Sequence, residues 1–456
     1  MTPSVAQAYR ARLLSAEAAV QRIAPGNRVF VGSACATPRT LVRALEALTP
    51  PPADVELLHF VTDGALPAGA DGRVATRCRH RAIFIGSEMR AAMRQGAIEY
   101  VPLSAARLPE LMRDGRLPVD VACVQVTPPD AHGFVSLGVS VDVAAAAVQC
   151  ARLVVAEVNP AMPWTMGEST LPLERIHHLV EVEPAMIEYR HASTEQAVVE
   201  RIARYIAGTI DDGATLQIGP GRIPNEALRY LEDRRDLGIH SDAVTDAIVP
   251  LLDKGIVNGR RKSLQRGRIV ASYAFGTRRL FEIVDRNPLF AFQPIETVCD
   301  PYTIAAQHRM VSVTQVFAVD LTGQACADQF AGEFYGGLAA QTEFLRGAAR
   351  APGGKPIVCL ASTTDDGEVS RIRPQLLAGE GATVARTDVH YVITEYGIST
   401  CSASRCASAP WCSSSWRTRS SAPGCSTRPG GWACSTPARR SPAGVPMRWR
   451  TSGACA

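Results

Sequence analysis

Lysine is nearly absent from this 456-residue sequence: Lys254, Lys262 and Lys355 are the only three among 48 basic residues, and the rest are arginine. That usage points to the codons of a GC-rich bacterial genome. No run approaches the ~18 consecutive apolar residues of a membrane-spanning helix, which excludes such a span. The opening segment, Met1 to Ala19, mixes Arg10, Arg12 and Glu17 with apolar residues and lacks the unbroken apolar stretch of a secretory signal. A soluble cytoplasmic protein is expected. The 13 cysteines form no close metal-ligand pairs; seven are scattered singly from Cys35 to Cys359 and read as small buried residues.

The most informative absence is local. After residue 398 there is no Leu, Ile, Phe, Asp, Glu or Lys, while four of the five tryptophans and six of the 13 cysteines crowd there. Such a stretch supplies neither a helix face nor a core strand. Disordered tails are rarely rich in Trp and Cys, and a zinc module needs closer cysteine pairs. The composition is read as translation in a shifted frame, against a low-complexity tail or a metal module, and residues 399–456 are expected to lack regular packed structure. Eight of the 48 basic residues are arginines of this tail, so the body carries 40 basic against 44 acidic groups despite a net charge of +4. Nothing in that balance suggests nucleic acid as a partner.

One hydrophobic core seldom serves more than ~250 to 300 residues, so the body is expected to form two cores. The boundaries are placed at 1–192 and 193–398. In the first half, Ser4 to Ile23, Pro38 to Leu48 and Ala106 to Asp114 are helix-like, whereas Arg28 to Val31, Val55 to Val61, Ala82 to Ile85 and Ala122 to Val126 read as short buried strands. A second series begins with the helix Glu195 to Ile210 and the strand Thr215 to Ile218, and includes strands at Lys355 to Leu360 and Val389 to Ile393. Alternation of this kind predicts open parallel α/β sheets. Ligands of such sheets sit beyond the carboxyl ends of the strands. There, Thr215 to Ile218 runs into Gly219, Pro220, Gly221, Arg222, Ile223 and Pro224 ahead of a helix from Asn225 to Tyr230. Either this is a plain tight turn or it offers backbone N–H groups to an anion or oxyanion. Gly32, Ser33 and Ala34 make a similar loop in the first half.

At these residues a resemblance enters. Leu216, Gln217 and Gly219 to Pro224, then Leu237, Gly238, Ile239, His240, Asp246, Gly255 to Asn258 and Lys262, resemble the acetyl-CoA hydrolase/transferase family, which includes the 4-hydroxybutyrate CoA-transferases. Thr127 to Asp130, His132, Gly133, Ser136 to Gly138, Glu157 to Asn159, Pro163 and Gly167 agree in order. So do Asp320 to Gln324, Gly336, Gly337, Phe344, Arg346 to Ala348 and Thr394 to Gly397. The likeness covers roughly residues 15–398.

The resemblance implies two related open α/β domains of the CoA-transferase type with the active site between them, and a homo-oligomer. It implies CoA held mainly by the second domain, through Gly219, Pro220, Gly221, Arg222, Ile223, Gly336 and Gly337. Acyl-CoA would be a substrate, with or without a small carboxylate acceptor, and no cofactor would be permanently bound.

In the family's transferases a glutamate directly after the His-Ser or His-Thr pair attacks the acyl-CoA carbonyl; here Asp242 follows His240 and Ser241. Aspartate is one methylene shorter, and a ~1 Å misplacement can cost on the order of 100-fold. The space released could admit water, so the leading expectation is thioester hydrolysis assisted by Asp242. The alternatives are CoA transfer through a covalent carboxylate intermediate, a non-catalytic CoA-binding homologue, and an Asp242 that only caps a helix. The family commonly has a glutamate where this chain has Ala318, which makes Asp320, two positions along a strand, a secondary candidate beside Glu333. His132 and His240 read as structural histidines, and Asp130 and Glu157 as organisers of the cleft or partners of arginine.

Overall fold

Short Val-, Ile- and Leu-rich runs become central strands here because helices cover both faces of a parallel sheet. The structure is a computed structural model and describes residues 2–66, 76–190 and 197–400, all within one compact unit. In the first half seven parallel strands pair in the order Ile98–Tyr100, Arg79–Ala82, Glu56–His59, Arg28–Val31, Val121–Val126, Leu153–Val158 and His178–Glu181. Every residue of the central Val121–Val126 is buried. In the second half Gly238–Ile239, Thr215–Ile218, Met310–Gln315, Lys355–Cys359 and Tyr391–Thr394 are parallel, and Gly397–Thr400 closes the edge antiparallel. The helix Ala197–Thr209 buries Val199, Ile202, Ala203, Ile206 and Ala207, the 3.6-residue stripe that its sequence displays.

Three expectations need correction. Ser4 to Ile23 is two helices, Pro3–Arg10 and Ala16–Val20, the second capped by the Ser15 hydroxyl. Leu13 pairs with Leu179 at the sheet edge, and that long-range pairing overrides the helical period. The strand placed at Ala82 to Ile85 runs instead over Arg79–Ala82; Ile83 and Ile85 are buried beyond it, and the Ile85 N–H donates to the Gly336 carbonyl of the second half. The two expected cores exist but are joined: one cluster around Val31 and Val121 lies within the first half, another around Val319 and Val358 within the second, and a third spans both. The largest buried cluster takes Phe30, Leu58 and Val124 from one half and Leu216, Val313 and Phe344 from the other, and three smaller clusters surround it.

The join between the halves is also polar. The Val141 and Asp142 amides both donate to the Ser272 carbonyl, and Ser140 bridges Tyr273. At the far end the fold outruns the expected boundary by two residues, since Ser399 is buried and Ser399 and Thr400 pair with Val392 and Tyr391. The remainder of the compositionally altered tail lies outside the described residues. Among the described residues no helix is long and apolar enough to cross a membrane.

Candidate active site

Two neighbouring parallel strands deliver the chemistry at their carboxyl ends. Thr215–Ile218 leads into Gly219, Pro220 and Gly221, the last being the N-cap of the helix Arg222–Leu228. Gly238–Ile239 leads into His240, Ser241 and Asp242. Asn225 ties the turn down, its side-chain amide donating to the Gly221 carbonyl at 2.8 Å and to the Gly219 carbonyl at 3.4 Å. Between this turn and the first half lies a cavity of about 310 Å³, lined by Asp242, Gly219, Pro220, Gly221, Arg222 and Gly336 together with Tyr273, Gln217, Phe275 and Phe84.

Asp242 is only 5% exposed, and its carboxyl is held in place. Tyr273 donates its hydroxyl to Oδ2 at 3.2 Å and Ser241 donates to Oδ1 at 3.4 Å. The Asp242 carbonyl accepts the Ser272 and Tyr273 amides, which fixes the backbone on which the side chain sits. Burial pushes the Asp242 carboxyl above the usual aspartate range; Tyr273, the backbone amides of Ala243 and Asp242, and Gln217 pull it partly back. Burial, with Asp242 beside it, raises the Tyr273 phenol well above its ordinary value, so it remains a donor. The orientation of Gln217 is set from behind: Ser312 donates its hydroxyl to Oε1 at 2.7 Å, which leaves the amide NH₂ as the group available to Asp242. A carboxylate poor in water and oriented by three donors can attack a carbonyl carbon directly, or withdraw a proton from a water beside it.

Not every expected residue reaches this cavity. Ile223 turns its side chain into the core, and its N–H donates to Gln315 Oε1 at 3.2 Å, so that amide is not free for a ligand. Gly337 is outside the lining; a Cβ there would stand 2.4 Å from the Ile83 carbonyl oxygen, so its small size permits the halves to approach. Gly32 and Ala34 are likewise absent from the lining, because their amides donate to Cys123 and Val61 carbonyls.

His240 is fully buried, with Nε2 2.8 Å from the Val298 carbonyl oxygen; burial and then Lys262 hold its pKa down to about 3. It is a neutral core histidine. His132 is exposed in a turn whose amides are gathered by Asp130. Glu157 accepts the Leu41 amide and the Gln125 side chain, and so anchors the start of the helix Arg39–Ala47.

The secondary carboxylates are used elsewhere. Asp320 Oδ1 accepts the Thr322 and Gln324 amides and the Thr322 hydroxyl, while Oδ2 accepts the Gln324 side chain. That is a turn organiser. Asp320→Ala should therefore lower unfolding free energy by about 1–3 kcal/mol in a denaturant titration, leaving whatever chemistry Asp242 performs in place. Glu333 pairs with Arg94 and Tyr335, outside the cavity lining. Reading the sequence assigned no role to Gln217, Tyr273, Asp63 or Glu88, all of which line the cavity. Gln217 stood inside a recognised motif; the other three carry no local signal.

Residues 3–205 match the acetyl-CoA hydrolase/transferase N-terminal domain and residues 276–408 the C-terminal domain, so that the turn at Gly219 and Asp242 fall between the two matched stretches. The chain is 37% identical over 390 residues to 4-hydroxybutyrate coenzyme A transferase of Clostridium kluyveri, covering 86% of this chain and 90% of that one. It is 35% identical over 379 residues to a succinyl-CoA:acetate/propanoyl-CoA:succinate CoA transferase of Fasciola hepatica, covering 82% and 78%. Among solved structures it resembles RipA from Yersinia pestis, with a TM-score of 0.82 and 31% identity over 88% of this chain and 92% of that one. It also resembles 4-hydroxybutyrate CoA-transferase from Porphyromonas gingivalis, with a TM-score of 0.74 and 33% identity over 88% and 93%. These likenesses span both halves, and the chain belongs to the acetyl-CoA hydrolase/transferase family.

Proposed function

We propose that the chain is a CoA-transferase that carries CoA from an acyl-CoA to a small carboxylate, with Asp242 as nucleophile. The observation that carries this reading is the buried carboxyl of Asp242, oriented by Tyr273 and Ser241 and facing the cavity beside the Gly219 to Gly221 turn. One Asp242 oxygen attacks the thioester carbonyl carbon, the C–S bond breaks, and CoA leaves as thiolate from a mixed anhydride. The thiolate then attacks the Asp242 carbonyl carbon, releasing the acyl group as its carboxylate and leaving an Asp242–CoA thioester. An acceptor carboxylate repeats the two steps in reverse. No net proton is consumed.

The expectation of hydrolysis rested on the shorter side chain admitting water. Two considerations favour transfer instead: the burial of Asp242, which limits the approach of water, and relatives that are themselves named CoA-transferases. Incubation with acetyl-CoA, followed by hydroxylamine, should inactivate the enzyme and convert Asp242 to its hydroxamate, read by peptide mass. Steady release of free CoA without acceptor, and no modified Asp242, would point back to hydrolysis.

A further inference from the structure

The first-half wall of the cavity carries two carboxylates that the transfer chemistry does not use. Glu88 Oε2 accepts the Gly64 amide at 2.7 Å and Oε1 the Ala65 amide at 3.4 Å, which aligns it beside Asp63. Arg39 is committed to Asp63, with Nε on its carbonyl at 3.0 Å and Nη2 on Oδ2 at 3.1 Å, and does not line the cavity. Among the described residues, two acids against one cation leave this wall with an excess negative charge. Among the described lining residues the one basic side chain is Arg222, on the second-half wall with the glycine turn. Between the walls stand Val61, Phe84, Tyr273 and Phe275.

We propose that the Asp63–Glu88 wall makes the enzyme selective for acyl groups whose far end is uncharged, apolar or hydroxylated, and against dicarboxylates such as succinate. This deepens the transferase reading and rests on it. With CoA approaching from the second half, an acyl chain bound at Asp242 extends across the cavity toward the first-half wall that carries Asp63 and Glu88. A short chain of a few carbons fits a cavity of about 310 Å³. A second carboxylate there meets like charge, and among the described lining residues the one cation, Arg222, stands on the opposite wall. Burial raises the Glu88 carboxyl, but the Gly64 and Ala65 amides and Arg39 pull it partly back toward the charged form.

The test measures kcat/KM for CoA transfer from acetyl-CoA to butyrate, 4-hydroxybutyrate, succinate and monomethyl succinate, which keeps the shape of succinate but not its second charge. Monomethyl succinate should exceed succinate on the order of 100-fold. In Glu88→Gln, and again in Asp63→Asn, that ratio should narrow about 10-fold. Equal use of succinate and its monomethyl ester by the unaltered enzyme overturns the inference, and this comparison stands even if a variant fails to fold. So does a ratio unchanged in both folded variants. If no acceptor takes CoA and no enzyme–CoA thioester forms, the transferase reading itself fails and takes the selectivity with it.

Discussion

Asp242→Asn should abolish the enzyme–CoA thioester and lower acyl-CoA turnover by on the order of 10⁴-fold or more, the scale seen when a covalent nucleophile is removed. The carboxamide nearly matches the carboxylate in size; its oxygen can accept from Tyr273, while Ser241 can accept from its NH₂ and donate to the Ile218 carbonyl at 3.4 Å, so the loss would report chemistry and not collapse of the site. Circular dichroism and the denaturation midpoint should stay near those of the unaltered protein. Asp242→Glu extends the reach of the carboxyl by one methylene. Transfer relative to acceptor-independent CoA release should then rise. Turnover within a few fold of normal in Asp242→Asn would leave Asp242 a structural aspartate and the site without an agent.

The second large effect is on stability. Lys262 is fully buried, its Nζ donating to the Ile239 carbonyl at 2.9 Å and the Arg268 carbonyl at 2.8 Å, and no carboxylate pairs with it among the described residues. Burial pulls its pKa from 10.5 down to about 7. Between these values the unfolded chain binds a proton that the native chain has released, so unfolding free energy rises with pH. Below pH 7 both states hold the proton and the full penalty, on the order of 5 kcal/mol, is present.

The buried thiols act with opposite sign: burial raises Cys35, Cys123 and Cys326 to about 12, so the native state retains protons that the unfolded chain loses from about pH 8.5 upward. The clean window is therefore pH 7 to 8.5. There, denaturant titrations should show a gain of up to about 1.4 kcal/mol per pH unit, and Lys262→Met should remove that gain. Stability flat across the window in the unaltered protein would mean that the two carbonyls keep the ammonium charged.

What the sequence revealed, and what it concealed, follows from the range of the interactions involved. The turn Gly219 to Gly221 and the aspartate after His240 and Ser241 are local patterns, and both reach the cavity. The helix Ala197–Thr209 was readable from its own periodicity. By contrast Gln217 acquires its orientation from Ser312, 95 residues away, and Tyr273 reaches Asp242 through a strand pairing that no local window contains. The Ile223 amide looked available because nothing nearby in sequence foretells Gln315. Ile83 and Ile85 looked like strand for the same reason: their apolar character serves packing beyond the ladder.

The large apolar cluster shared by both halves has an evolutionary consequence. A chain interrupted near residue 192 would leave each piece with a bare greasy flank where, for example, Phe60 meets Tyr273. Recombination can therefore exchange such halves only as matched pairs, and drift on one flank obliges compensating drift on the other.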